Sequence, residues 1–292
     1  MADYLPHTDE DIAEMLGFLG LGSLDELFAA VPAALRVAGG LALPAGVPEP
    51  DVLKRAERRG GANPARTDHL VCFAGAGAYD HEVPPVVKAL AGRSEFVTAY
   101  TPYQPEVAQG GLQAIFEFQT LVSRLFGLPI ANASLYDGAS ALVEALNLGV
   151  GSTGRPGVLL SAGVHPHWRA AAATFARGTG HRITEVPLRG GVTDWASAPA
   201  DEVGAVVVAY PNYLGCLEDL AAVRRLCDES GAVMVVAADP VAAAILKSPG
   251  DWGAEVVVGE GQPFGTALSF GGPYLGLFCC DAAHVRRLKP RV

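Results

Sequence analysis

The sequence predicts an α/β domain with a mainly parallel sheet, preceded by a short helical N-terminal region. Short, nearly continuous apolar runs recur along most of the chain, and helix-length stretches lie between them. Such runs are typical of parallel strands that helices cover on both faces. Because strands and helices alternate in this way, the pattern favours one sheet-centred α/β domain.

The first 65 residues carry helix patterns but no strand pattern. Thr8 precedes an acidic turn and apolar residues at helical spacing, which is typical of a capped helix start. A second short helix is expected to turn Leu27 and Phe28 inward, and residues 51–59 predict a third helix. We therefore predict an N-terminal helical arm over residues 1–65.

The remaining chain, residues 66–292, is predicted to be the α/β domain. Its buried strands are predicted at residues 157–160, 205–209, 232–237 and 255–258. Its helices are predicted at residues 112–126, 139–148, 167–176, 217–230 and 241–246.

Composition narrows the classes of protein that this chain can be. Half of its 292 residues are hydrophobic, enough for a sizeable core, and the formal net charge of −10 argues against nucleic-acid binding. No apolar run has the roughly 18 residues of a membrane span. The N-terminus is acidic and unlike a signal peptide, and the five cysteines show no CxxC spacing. We expect a globular cytoplasmic protein with reduced thiols, no metal site and no membrane partner.

Two predicted strand ends carry residues suited to an anionic, ring-containing ligand. Tyr136, Gly138 and Ser140 lie in a small-residue segment that runs into a helix, where backbone N–H groups can bind phosphate. A glycine turn capped by Asp137 is the alternative. Asp239 follows a buried strand, where a carboxylate can pair with a pyridinium nitrogen, although it can equally cap the next helix.

The third strand end, at residues 256–265, contains no lysine. In pyridoxal-phosphate (PLP) enzymes of the large aminotransferase type, the lysine that forms a Schiff base with the cofactor lies at this place. Without an amine there, the chain cannot hold the cofactor covalently in the usual way. The chain has four lysines, none directly after a buried strand at this position: Lys54, Lys88, Lys247 and Lys289. An independent enzyme that uses Lys247 is a remaining alternative.

Residues 98–106 combine two tyrosines, two prolines and a glutamate without helical or strand periodicity. The prolines stiffen this segment, which could present Tyr100, Tyr103 and Glu106 at a site or an interface. A rigid surface turn before the helix at residues 112–126 explains the spacing equally well.

Three motifs, in this order, resemble one family. They are TAYTPYQPE at residues 98–106, GEGQPFG at 259–265 and SFGGPYLG at 269–276. With further matches along nearly the whole chain, the sequence resembles the N-terminal, or alpha, subunit of the glycine cleavage system P-protein, glycine decarboxylase. The resemblance implies the large domain of the PLP-dependent transferase-like fold (aminotransferase fold type I).

The resemblance also implies a division of labour between two chains. A beta subunit would hold PLP on a lysine, and Pro263 stands at the matching place here. The alpha subunit, inactive alone, would join beta in an αβ unit or its dimer, a heterotetramer. Together they would decarboxylate glycine and transfer its aminomethyl group to the lipoyl arm of H-protein. A non-catalytic scaffold or binding protein on a degenerate PLP-transferase fold is the alternative.

Site residues follow from the resemblance in the same way. Asp239, Tyr136, Gly138 and Ser140 would be relics of an ancestral PLP site, and this chain would bind no cofactor itself. Tyr100, Tyr103 and Glu106 would reach toward the partner's site. The family's alpha subunit continues into a smaller C-terminal domain, which we expect to be missing here.

Overall fold

A computed structural model describes residues 6–37, 39–62, 71, 73, 75, 77–97, 101–199 and 201–288. The chain divides into two compact units, Met1–Cys72 and Phe73–Val292. Within the described residues, no helix is both long enough and apolar enough to cross a membrane.

The first unit contains helices α1 (Asp9–Leu19) and α2 (Glu49–Gly61), with two short 3-10 turns between them. The predicted cap at Thr8 is confirmed: Thr8 and Asp11 bond reciprocally to each other's backbone N–H at 2.8 and 3.2 Å. The inward orientation predicted for Leu27 and Phe28 is wrong, because these side chains are 50% and 59% exposed. None of the described residues in these four elements is buried, so they form no core of their own.

The second unit has the predicted alternation of strands and helices. Its helices are α3 (Pro85–Ala91), α4 (Ser94–Val97), α5 (Gln109–Phe126), α6 (Gly138–Thr153), α7 (Pro166–Thr179), α8 (Leu220–Ser230) and α9 (Pro240–Ala243). Its strands are β1 (Ile130–Ala131), β2 (Gly157–Ser161), β3 (Arg182–Val186), β4 (Leu188–Arg189), β5 (Val192–Thr193), β6 (Val203–Tyr210), β7 (Val233–Ala238), β8 (Val256–Glu260) and β9 (Gly276–Cys280).

The main sheet has seven strands in the order β1-β9-β8-β7-β6-β2-β3. The strands from β8 to β3 run parallel to one another, and β9 and β1 pair antiparallel at the other side. The prediction of a mainly parallel sheet is confirmed. Because β6, β7 and β8 are adjacent and parallel, their carboxyl ends meet at one edge of the sheet.

Helices cover both faces of this sheet, which explains why its central strands are apolar throughout. On one face Val206, Val236 and Val257 share a buried cluster with Phe126 of α5 and Val223 of α8. Val207, Val235 and Val258 occupy the other face, together with Leu142 and Leu146 of α6. Alternate residues of a strand point to opposite faces, so a doubly covered strand needs apolar side chains at every position.

Candidate functional site

A cavity of about 490 Å³ opens at the carboxyl ends of β6, β7 and β8. Aromatic and imidazole side chains form much of its wall: Tyr79, His81, His165, Trp168 and Tyr213. Asp239 and Glu260 supply carboxylates, and Pro263 also lines it. Of the residues that the structure describes, no lysine or arginine lines this cavity. Its wall is therefore aromatic with a negative balance of charge.

Glu260, the last residue of β8, joins three separate segments through its carboxylate. Oε2 accepts a hydrogen bond from the N–H of Gly138 at 2.9 Å. Oε1 accepts from the N–H groups of Gln262 at 3.0 Å and Leu275 at 2.8 Å. Burial raises the pKa of this carboxyl, while the three N–H donors act in the opposite direction.

The segment predicted as a phosphate cup is the N-terminus of α6. Its cap is Asp137, whose Oδ1 accepts from the N–H of Ser140 at 2.6 Å. The predicted cap at Asp137 is therefore present, and a phosphate cup at this terminus stays a prediction. Trp168 lies directly against Gly138, since a Cβ added to Gly138 would overlap the indole ring.

Asp239 lies where a ring-pairing carboxylate was predicted, but it acts as a helix cap. Its Oδ1 accepts from the N–H groups of Val241 and Ala242, both at 2.8 Å, at the start of α9. This agrees with the capping alternative.

A buried polar network, which the sequence analysis missed, holds the cavity wall at residues 211–218. Glu218 accepts from the Thr193 hydroxyl and from Asn212 Nδ2, both at 2.9 Å. Asn212 Oδ1 accepts from the N–H groups of Leu214 and Cys216 at 3.0 Å. Since each buried polar group has a partner, the network fixes the loop that carries Tyr213.

Comparison with known proteins decides the family. The family model described as Glycine cleavage system P-protein matches residues 2–292. This chain belongs to the P-protein family. It is 44% identical to the probable glycine dehydrogenase (decarboxylating) subunit 1 of Desulforamulus reducens and 46% identical to that of Geobacillus thermodenitrificans. Each match covers 99% of this chain and 65% of the relative.

Solved structures agree with the family and with the fold. A glycine decarboxylase (P-protein) in inhibitor-bound form is 47% identical, with a TM-score of 0.89, and the match covers all of this chain and 65% of that one. A sphingosine-1-phosphate lyase of Burkholderia pseudomallei, at 16% identity, has a TM-score of 0.59 over 87% of this chain and 64% of the other. The predicted PLP-dependent transferase-like fold is confirmed. The chain spans 65% of the length of the relatives that it matches.

In this P-protein chain, Tyr103 and Glu106, two of the residues predicted to serve a partner, do not line the cavity. Tyr103 is 81% exposed, and Glu106 is also exposed, in the segment before α5. Tyr100 lies outside the described residues. Tyr136 is 88% exposed, and neither it nor Ser140 lines the cavity, whereas Asp239 and Pro263 do. The assignment of Tyr100, Tyr103 and Glu106 to a site remains a prediction.

The P-protein family is PLP-related, but the cavity does not fit that cofactor. Lys54 pairs with Asp51 at 4.0 Å, and Lys247 lies 3.9 Å from the ring centre of Trp252. Neither these two nor Lys88 lines the cavity, and Lys289 is outside the described residues. Pro263 offers no amine, and the α6 terminus already binds carboxylates. No reaction step is therefore assigned to PLP in this chain.

One group of possible metal ligands lies elsewhere in the described residues, namely Glu255, Asp281 and His284. Glu255 Oε2 already accepts from Arg224 Nη1 at 3.0 Å and from the N–H of Met234 at 2.8 Å. Since the guanidinium would repel a cation, the group carries no metal assignment.

Proposed function

We propose that this chain is the alpha subunit of a two-chain glycine decarboxylase of the glycine cleavage system. With its beta partner it would remove CO₂ from glycine and pass the aminomethyl group to the oxidised lipoyl arm of H-protein. The match to subunit 1 and to glycine decarboxylase along essentially the whole chain carries this proposal. The chain would work in the cytoplasm and be inactive alone.

In this proposal the beta subunit holds PLP. The supporting observation is the cavity, which has no lysine among its described lining residues, together with the N–H of Gly138 at the start of α6, which already binds Glu260. This chain's own contribution would be structural support and the rigid segment with Tyr100, Tyr103 and Glu106. These side chains would contact the partner's site or the path of the lipoyl arm.

Reconstitution tests the proposal. The purified chain would be mixed with the beta subunit, PLP and lipoylated H-protein, and the exchange of labelled bicarbonate into glycine would be measured. Exchange well above that of the beta subunit alone is expected. If exchange is no higher with this chain than without it, the proposal is wrong, whether or not the two chains co-purify.

Substitutions in the exposed segment test the residue roles separately. Tyr103→Phe and Glu106→Gln should lower exchange in the reconstituted system without reducing co-purification. Glu229→Gln, on exposed α8 surface, is the matched control and should leave exchange unchanged. A loss of exchange equal for Glu106→Gln and Glu229→Gln would remove Glu106 from the site.

The alternative function is a non-catalytic scaffold on the same fold. It is favoured by the lack of fit to PLP and predicts co-purification with the beta subunit but no gain in exchange. The reconstitution experiment distinguishes the two functions directly.

A further inference from the structure

The start of α6 has the sequence and geometry of an anion site, but a side chain of the protein occupies it. Small residues form the first turn of this helix, and its first N–H group, that of Gly138, points at Glu260 Oε2. N–H groups at a helix N-terminus favour a negative charge. The carboxylate of Glu260 therefore takes the place that an external anion would need.

Glu260 is held in this position from the other side as well. Gln262 and Leu275 donate their N–H groups to Oε1, so both carboxylate oxygens have backbone partners. Gln262 is the first residue of the 3-10 turn Gln262–Phe264, and Leu275 comes after the loop that follows this turn. Leaving the site would cost Glu260 three hydrogen bonds, so an external anion cannot displace it cheaply.

Glu260 also lines the cavity. The residue that binds the start of α6 can therefore influence which ligands the cavity accepts. Glu260 and Trp168 both line the cavity, and Trp168 covers Gly138. Asp239 adds a second carboxylate, and no described lysine or arginine lies in the wall to balance them. A phosphate group entering here would meet negative charge and no vacant N–H donor at Gly138.

We propose that Glu260 is a built-in anion that makes this cavity select against phosphorylated ligands. The aromatic wall still suits a planar molecule that is neutral or cationic and carries no phosphate. This inference stands on the geometry of Glu260 and does not depend on the glycine decarboxylase activity proposed above.

Binding of pyridoxine and pyridoxine 5′-phosphate to the full chain tests this inference. The two probes differ only in the phosphate, and neither has an aldehyde that could react with surface lysines. Affinities would be measured by calorimetry for the native protein, Glu260→Ala and Asp239→Asn. Asp239→Asn is the matched control, because it removes one carboxylate from the same wall while asparagine can keep the α9 cap.

In the native protein, the phosphate should give no gain in affinity. Glu260→Ala should bind pyridoxine 5′-phosphate roughly tenfold more tightly relative to pyridoxine, the order expected for one charge-assisted hydrogen bond. Inorganic phosphate should compete in this variant alone. Asp239→Asn should raise the ratio less than Glu260→Ala does, because it removes a charge from the wall but frees no N–H donor at Gly138. The proposal would be overturned if folded Glu260→Ala kept the native ratio of affinities for the two probes. It would also be overturned if Asp239→Asn gained as much affinity for pyridoxine 5′-phosphate as Glu260→Ala.

A measurement on the native chain keeps the test decisive if Glu260→Ala does not fold. Inorganic phosphate would be titrated at constant ionic strength while the amide resonance of Gly138 is followed by NMR. The resonance should stay in place, because Glu260 already occupies the donor. A saturable shift of this amide would contradict the occupancy of the site by Glu260.

Discussion

At the scale of single residues, Glu260 binds the backbone at three places, and one of them, Gly138, is 122 positions away in sequence. Its acceptor positions face N–H groups of Gly138, Gln262 and Leu275. In Glu260→Gln one oxygen becomes an NH₂ group, so at least one N–H would face another donor. We expect the free energy of unfolding at pH 7 to fall by about 1–3 kcal/mol. Urea unfolding would measure this, with exposed Glu229→Gln expected to change little.

The pH dependence of that difference tests the state of the Glu260 carboxyl. Burial raises its pKa in the folded protein above the ordinary 4.5, and the glutamine does not titrate. A raised folded pKa stabilises the folded protein at low pH, and this contribution is lost as pH rises through the folded pKa. The stability advantage of the native protein over Glu260→Gln should therefore grow as pH falls from 7 toward 4.5. An advantage that shrinks on acidification would contradict this sign.

Asn212 is predicted to be the most sensitive residue of the buried network. Its side chain donates to Glu218 Oε1 and to the carbonyl of Gly191, and it accepts two backbone hydrogen bonds. Asn212→Leu has similar volume but would leave the buried Glu218 short of a donor. We expect a loss of about 3 kcal/mol in urea unfolding. Asn147→Leu, on half-buried α6 surface where the side chain bonds to His181, is the comparison and should lose less.

At the scale of elements, α6 packs closely against α7 because residue 138 is a glycine and has no side chain. A Cβ there overlaps the Trp168 ring, so Gly138→Ala must displace the indole from the cavity wall. We expect a loss of about 1–3 kcal/mol, as in other overpacked sites. Tryptophan fluorescence should change with it. The pair Gly138→Ala with Trp168→Leu should recover part of the stability, and no recovery would show that the clash is not with Trp168.

The central strands could be predicted from sequence because burial on both faces makes every position apolar. The predicted run at residues 205–209 lies within β6, and that at 232–237 matches β7 within one residue. β3 carries no such run, since it is an edge strand with exposed Arg182 and Glu185. It is a strand because it pairs with β2, and this pairing cannot be read from the sequence of β3 alone.

The candidate site was predictable only in part, for a related reason. The absent lysine and the capping residues Asp137 and Asp239 are local features, and local patterns indicated them. The bond from Gly138 to Glu260 joins residues 122 positions apart. Such a contact exists only once β8 and α6 are placed together, so no spacing along the chain could have indicated it.

At the scale of the whole molecule, three cysteines report on the integrity of the sheet. Cys279 and Cys280 of β9 are buried on opposite faces of the sheet, and Cys227 of α8 is buried beside one face. Burial raises the pKa of Cys227 to about 12 and that of Cys280 to about 11, and it also raises the pKa of Cys279. Since the thiolate is the reactive form, all three should be inert in the folded protein.

Thiol labelling therefore gives a prediction for the folding unit as a whole. In a Cys72→Ser background, only half-buried Cys216 should react promptly with a thiol reagent at pH 8. Cys227, Cys279 and Cys280 should react slowly and at one common rate, because exposing any of them requires the sheet and its helices to separate. Glu260→Gln should accelerate all three by the same factor, about tenfold for each 1.4 kcal/mol of lost stability. Mass spectrometry of labelled peptides would measure the three rates, and a Cys280 that reacts well ahead of Cys227 would mean that β9 opens separately from the rest of the sheet.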